Sequence, residues 1–415
     1  MRSWLAARWQ RLLLLAAVAG PGIVTANVDN DAGGITTYSL AGAIYGYRLL
    51  WTAIPVALAL YVVQEMTSRL AAVTGKGLAD LVREEFGVKA TVYLMLALTV
   101  TNLGNTMAEF AGLATALEIV AVPRWVSVPL GAVVVWWLVT WGTYRVVEKV
   151  FLIASGFYVA YVISGVLAKP DWAAVARHTI TPTFETSLPY VLMVVGIVGT
   201  TIAPWMQFYQ QAAVVEKGIT SRQLREARID VAIGTVMAVA VAWFIVVACG
   251  ATLHAAAVPI RDASDAAQAL VPLAGRYAGL LFGFGLFNAS LFAAAILPLS
   301  TAYTVCEGIG WERGIDHKLR EAPQFYAIYT ALIVFGATAI LLPGMPLLKV
   351  LYLSQVANGI LLPAVLVFMV VLANRKELLG QHINSPSFNV IAWVLVVSLT
   401  AMTLFLTVTA LLGIG

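Results

Sequence analysis

Gly20-Pro21-Gly22-Ile23-Val24-Thr25-Ala26-Asn27-Val28-Asp29-Asn30-Asp31-Ala32-Gly33-Gly34 is the stretch whose reading decides the fold. It lies inside an apolar run, Leu12–Ala43, long enough to cross a bilayer, which takes about 20 residues as a helix. Yet its middle carries Asn27, Asp29, Asn30, Asp31, Gly33 and Gly34. Acids and amides cannot face lipid cheaply. Irregular backbone at membrane depth is tolerated where it lines a cavity or is buried in protein. The run therefore predicts a helix broken at mid-membrane around a polar site.

Working outward, ten further apolar stretches follow: Leu49–Met66, Ala90–Val120, Val126–Thr143, Val150–Leu167, Pro189–Val215, Val231–Leu253, Tyr277–Val305, Phe325–Leu342, Leu347–Val371 and Val390–Leu412. The chain of 415 residues is 61% hydrophobic and 11% charged. Soluble domains carry about 25% charged residues, so lipid is the solvent. One membrane domain over 1–415 is expected, with no cleavable signal. Cys249 and Cys306 both lie in apolar stretches, so no disulfide framework is indicated. With the N-terminus placed in the cytoplasm, 18 of the 25 Lys and Arg fall on that side of an eleven-helix chain. That asymmetry is what the positive-inside rule requires.

Pro189–Val215 is the second interrupted stretch, with Gly196, Gly199, Thr200, Thr201 and Pro204 near its middle. It stands five helices after the first. Interrupted helices at matching positions of two halves mark the binding site of an inverted-repeat transporter. Helices one to five and six to ten then form the repeats, and an eleventh is added.

Asp31 is the leading candidate residue. One carboxylate plus carbonyls freed by Gly33 and Gly34 makes a hard-cation site. Asp29 and Asn30 are nearby, either on the pathway or in an aqueous vestibule. In the third stretch Asn102, Asn105, Thr106 and Glu109 share one helical face. That face reads as a pathway lining, with a polar seam between helices as the competing reading. Glu65 and Arg69 read as an i,i+4 ion pair at a helix end, and Glu307 as interfacial. The histidines, at 178, 254, 317 and 382, fall in loops or at helix ends. No HExxH or CxxC spacing occurs, so zinc chemistry and nucleophilic catalysis have no support. The chain reads as a carrier rather than an enzyme, with no cofactor.

Gly20-Pro21-Gly22, Asp31-Ala32-Gly33-Gly34, Ala41-Gly42-Ala43, Gly46-Tyr47-Arg48-Leu49-Leu50-Trp51 and Val73-Thr74-Gly75-Lys76 resemble the opening of the NRAMP family of divalent-metal transporters. Glu307-Gly308, Ser354-Gln355-Val356 and Leu362-Pro363 resemble its eighth and tenth helices. The resemblance implies a LeuT-like fold with broken first and sixth helices. It implies a metal site at Asp31, Gly34, Thr200, Ala203, Gln355 and Val28, with Glu109, Thr106, Trp205 and Asn105 on the pathway or in coupling. Several of these positions depart from the family. Gly34 stands where the family has a metal-binding Asn, and Ala32 where it has Pro. Ala203-Pro204-Trp205 replaces Met-Pro-His, and Thr106 replaces an acid. A thioether suits transition metals, whereas carboxylate, carbonyl and water suit Mg²⁺ and Mn²⁺. The departures resemble the NRAMP-related magnesium transporter branch and lead to an expectation of Mg²⁺, with Mn²⁺, carried by facilitated flux without obligatory protons. A conventional proton-coupled Mn²⁺/Fe²⁺ symporter, an aluminium carrier, an organic-solute symporter of the same fold and a non-transport role are the alternatives. The expected partners are the metal ion and the bilayer, with no nucleic acid and no obligatory protein partner.

Overall fold

A residue that precedes proline is pushed out of the helical region by the proline ring. Ala203, before Pro204, is accordingly extended (φ −69°, ψ 142°), and one helix ends there while another starts. The computed structural model describes residues 20–142, 158–257 and 278–412, with residues 149, 260, 265 and 275 between them. Positions 12–19, 150–157 and 277, which begin three of the expected stretches, lie outside the described residues. So do Arg2, Arg8, Arg11, Arg145, Arg261 and Arg276 of the charge asymmetry.

Every expected stretch has a helical counterpart. We label these α1 (Pro21–Asn27), α2 (Ala32–Tyr45), α3 (Ala53–Thr74), α4 (Leu78–Glu118), α5 (Arg124–Trp141), α6 (Val159–Leu167), α7 (Trp172–Ile180), α8 (Leu188–Thr201), α9 (Pro204–Glu216), α10 (Leu224–Cys249), α11 (Ala278–Ile309), α12 (Pro323–Ile340), α13 (Leu347–Ala373) and α14 (Pro386–Leu412). Among the described residues nine segments are long and apolar enough to span a membrane, α8 and α9 counting as one. α7 matches no expected span; it is a short helix capped by Asp171, whose side chain accepts from two backbone N–H groups. α4 begins a dozen residues before the expected Ala90, because Asp80, Arg83, Glu84 and Glu85 hide its first turns from a hydropathy reading. It bends at Gly87, whose φ of 83° a side chain would resist.

Two broken helices sit at the centre. α1 and α2 are separated by a 3-10 turn, Val28–Asn30, and by Asp31. α8 and α9 are separated by Ile202 and Ala203, with Pro204 at the first position of α9, where its missing N–H costs nothing. α10 packs on α1, α2 and α3, α13 packs on α8, α4 and α2, and α11 runs along α4. Close approach needs small residues: a Cβ on Gly199 would lie 2.1 Å from the Gln355 carbonyl oxygen and 2.4 Å from the Gly359 nitrogen. The outward faces are apolar, with Val100, Val133, Trp137, Phe335 and Val394 exposed. In water such a surface would aggregate; in a bilayer it is solvated by lipid.

Candidate functional site at the paired helix breaks

Asp31 begins the second half of the first broken helix. Its backbone is extended and its Oδ1 accepts the Gly34 N–H at 2.6 Å, so it is the N-cap of α2. An N-cap satisfies donors that a helix start leaves open, and its negative charge meets the positive end of the helix dipole. Asp31 is 3% exposed. From α4, Glu109 Oε2 accepts the Ala32 N–H at 3.3 Å, which sets its carboxyl group beside that of Asp31. The other Glu109 oxygen is buried without a hydrogen bond. Two carboxyl groups from different helices therefore meet at the first break.

α13 closes the site from the other side. Gln355 lies so close to Gly33 that a Cβ there would come within 1.9 Å of its Nε2. Its Oε1 accepts from Asn358 Nδ2 at 2.9 Å, and its Nε2 donates to Ser354 Oγ at 3.3 Å. Thr200 lies in the last turn of α8 and Ala203 is the N-cap of α9, both enclosed. Val28 lies in the 3-10 turn, 0% exposed, and α8 packs against that turn. Six expected metal-site residues thus fall on the two breaks and on the α13 face beside them.

The pathway candidates separate. Of the α4 face, Glu109 bonds directly to the break, and Asn105 connects to Gln355 through Asn358. Asn102 donates to Thr301 (2.8 Å), Asn105 and Asn358 exchange hydrogen bonds (2.8 and 3.1 Å), and Thr106 turns its hydroxyl back to the Asn102 carbonyl (2.8 Å). All three are buried and hydrogen-bonded, Asn102 and Asn105 across to neighbouring helices, the arrangement that the competing polar-seam reading describes. The i, i+3, i+4 spacing is the same in both cases, which is why sequence could not separate them. Trp205 is also buried, against Tyr209, with its carbonyl accepting from Ser300.

Glu307 is corrected more sharply. Expected at the interface, it is 1% exposed and pairs with Arg313 (3.5 Å), which also binds Asp80 (2.5 Å). Arg313 comes from the segment after α11, a partner that no local pattern reveals. These residues line a cavity of about 470 Å³ together with Arg83, Glu216 and Tyr303. Glu65 and Arg69 form the expected pair (3.0 Å), and Arg228 and Asn384 join it.

Asp230 on α10 is a residue that the sequence reading passed over. Its carboxylate accepts from Gly20 N–H (3.0 Å), Gly22 N–H (2.6 Å) and Ile23 N–H (3.4 Å), and so anchors the start of α1. An acid immediately before the apolar run at Val231 was the available signal. Midway along α2, Tyr38 shares a 2.7 Å hydrogen bond with Thr201 of α8. Among the described residues, no three His, Cys, Asp or Glu side chains gather closely enough to hold a metal. A cation at the breaks would need carbonyl, amide or water oxygens besides Asp31.

Two broken helices apposed at mid-bundle, with an acid capping one of them, define an α-helical membrane protein of the LeuT-like fold. The chain belongs to the Nramp family: the family described as natural resistance-associated macrophage protein-like matches residues 22–409. A divalent metal cation transporter, MntH, of Deinococcus radiodurans is 28% identical over 399 residues, 93% of this chain and 88% of that protein. The MntH of Pectobacterium carotovorum is 26% identical over 415 residues, 96% and 95% of the two chains. The Eremococcus coleocola manganese transporter superposes with a TM-score of 0.79 at 21% identity, over 94% of this chain and 86% of that one. Mhp1, a nucleobase-cation-symport-1 family transporter, gives 0.58 at 17% identity over 94% and 89%.

Proposed function

We propose that this protein carries divalent metal ions across a membrane by alternating access, with Mg²⁺ and Mn²⁺ as its ions. The observation that carries the proposal is the buried Asp31 carboxylate at the break of the first helix, facing the Ala203 break of the second. In this reading Asp31 is the charged ligand, the Val28 and Thr200 carbonyls and the Gln355 amide oxygen are neutral ones, and Gly34 and Ala203 leave room for retained water. Mg²⁺ dehydrates reluctantly and is held by one or two carboxylates with several waters, which suits that donor set. The cavity lined by Asp80, Glu216 and Glu307 is the cytoplasmic exit, and its acids draw the ion out of the site. With Trp205 and Thr106 at positions where the family has titratable groups, flux runs down the ion's own gradient and the membrane potential. That potential contributes about 2.3 kcal/mol per charge per 100 mV.

A proton-coupled Mn²⁺ symporter is the second reading. The contact between the Asp31 and Glu109 carboxyl groups favours it, because two neighbouring buried acids can hold one proton that an arriving cation expels. The name of the Eremococcus relative, a manganese transporter, favours Mn²⁺ as well. A pH-sensitive dye inside proteoliposomes separates the readings. Uptake of Mg²⁺ and Mn²⁺ with no metal-dependent acidification supports the first. Acidification that scales with Mn²⁺ flux and disappears in Glu109→Gln establishes the second.

A further inference from the structure

We infer that the thioether of Met206 belongs to the ion site and supplies it with a soft ligand. Sequence alone leads to the opposite expectation, since Ala203 stands where the family carries its methionine. The structure returns a sulfur to the same break from one turn further along. Met206 is the third residue of α9 and is 0% exposed. Its Sδ accepts the backbone N–H of Ala203 at 3.2 Å. In a capping box the third residue is ordinarily Glu or Gln, whose side chain reaches back to the N-cap N–H. A thioether is a weaker acceptor than an amide. Its use here places a polarizable sulfur at the break at little cost to release.

The direction of the side chain fits. Trp205 and Glu216 lie on the α9 face toward α11, where Ser300 meets the Trp205 carbonyl and Tyr303 donates to Glu216. Gln210 and Gln211 lie on the face toward α3, where they donate to Ser68 and to the Lys76 carbonyl. Met206 falls between these two faces, and α1 packs against α9 as well. Its sulfur, drawn back to residue 203, sits where α8 gives way to α9, and α8 in turn packs against the Val28–Asn30 turn. The amide engages one lone pair and leaves the other. A site holding Asp31 and this sulfur admits thiophilic Cd²⁺ alongside Mg²⁺ and Mn²⁺, by the usual order of ligand softness. The inference rests on the metal-transport reading and extends its ion class.

Cd²⁺ is the probe. Purified full-length protein is loaded with one equivalent, and X-ray absorption at the cadmium edge reads the ligand atoms while calorimetry reads affinity. Met206→Gln keeps a capping side chain and removes the sulfur; Met206→Leu removes both. Cys249 and Cys306 are present in every sample, so the difference reports Met206 alone. The expected result is sulfur scattering in the wild type that is lost in Met206→Gln, with Cd²⁺ affinity about tenfold weaker while the melting temperature is retained. Met206→Leu loses the same affinity and melts lower. Cd²⁺ bound through oxygen alone in the wild type, equal affinity in Met206→Gln, or no Cd²⁺ binding at all overturns the inference. Absence of Mn²⁺ and Mg²⁺ uptake by wild-type proteoliposomes overturns instead the transport reading on which it rests.

Discussion

Replacing Asp230 by Ala strips α1 of its anchor. The carboxylate receives two good backbone hydrogen bonds, from Gly22 at 2.6 Å and Gly20 at 3.0 Å, and a longer one from Ile23 at 3.4 Å. Hydrogen bonds to charged groups contribute about 1.5–3 kcal/mol each, and part of that is offset by the cost of burying the charge. Counting the two short bonds against that cost leaves a net loss of about 3 kcal/mol. At a typical unfolding entropy of about 2.1 cal/mol/K per residue, a cooperative unit the size of this 415-residue chain would melt roughly 3–4 °C lower. Asp230→Asn should fall between Ala and wild type, because one amide oxygen can serve Gly20 while the NH₂ opposes a donor. Thermal unfolding in detergent, followed by size-exclusion fluorescence, measures both variants, and solvent labelling of a cysteine placed in α1 reports the loosened helix. Equal melting of all three proteins with unchanged labelling would refute the anchoring role.

Gly33→Ala puts a methyl group within 1.9 Å of Gln355 Nε2, so the amide must leave the break; uptake should fall as far as in Gln355→Ala in a protein that stays monodisperse. Full uptake by either variant removes Gln355 from the site. If both variants melt lower but transport normally, Gln355 is a helix-to-helix hydrogen bond of about 0.6 kcal/mol. Restoring Asn at Gly34 and Met at Ala203 should shift competition from Mg²⁺ toward Mn²⁺ and Cd²⁺, read as the concentration of each ion that halves Mn²⁺ uptake; an unchanged ratio in an active double variant contradicts the selectivity argument.

Much of this architecture was legible because its signals are local. Pro204 and the Asp31-Ala32-Gly33-Gly34 run interrupt apolar stretches at the points where the helices break. The hydropathy reading fails at 78–86, where Asp80, Arg83, Glu84 and Glu85 sit on the opening turns of α4. Side-chain partners were less legible because they depend on which helices touch. Asn102, Asn105 and Thr106 have the spacing of one polar face, and the hydrogen bonds to Thr301 and Asn358 opposite depend on helices far along the chain. Glu307 needs Arg313 from beyond its own helix, and Asp230 needs the N–H groups of a helix some two hundred residues earlier in the chain. The capping role of Asp31 was readable in principle, from an Asp set immediately before a helical run, but the carboxyl group of Glu109 at its side was not.

Asp31→Asn is the most direct test of the central claim, because it separates the two roles of that residue. Asn caps helices as well as Asp does, so the 2.6 Å bond from Gly34 can persist while the charge is lost. Unit charges 4 Å apart at an effective dielectric of about 20 attract by about 4 kcal/mol, roughly a thousandfold in affinity. The measurement is Mn²⁺ and Mg²⁺ uptake into proteoliposomes under an inside-negative potential, with wild type and variant matched for melting temperature. Saturable uptake is expected of the wild type, and flux at the level of empty liposomes of Asp31→Asn. Uptake by Asp31→Asn near the wild-type rate would contradict the central claim.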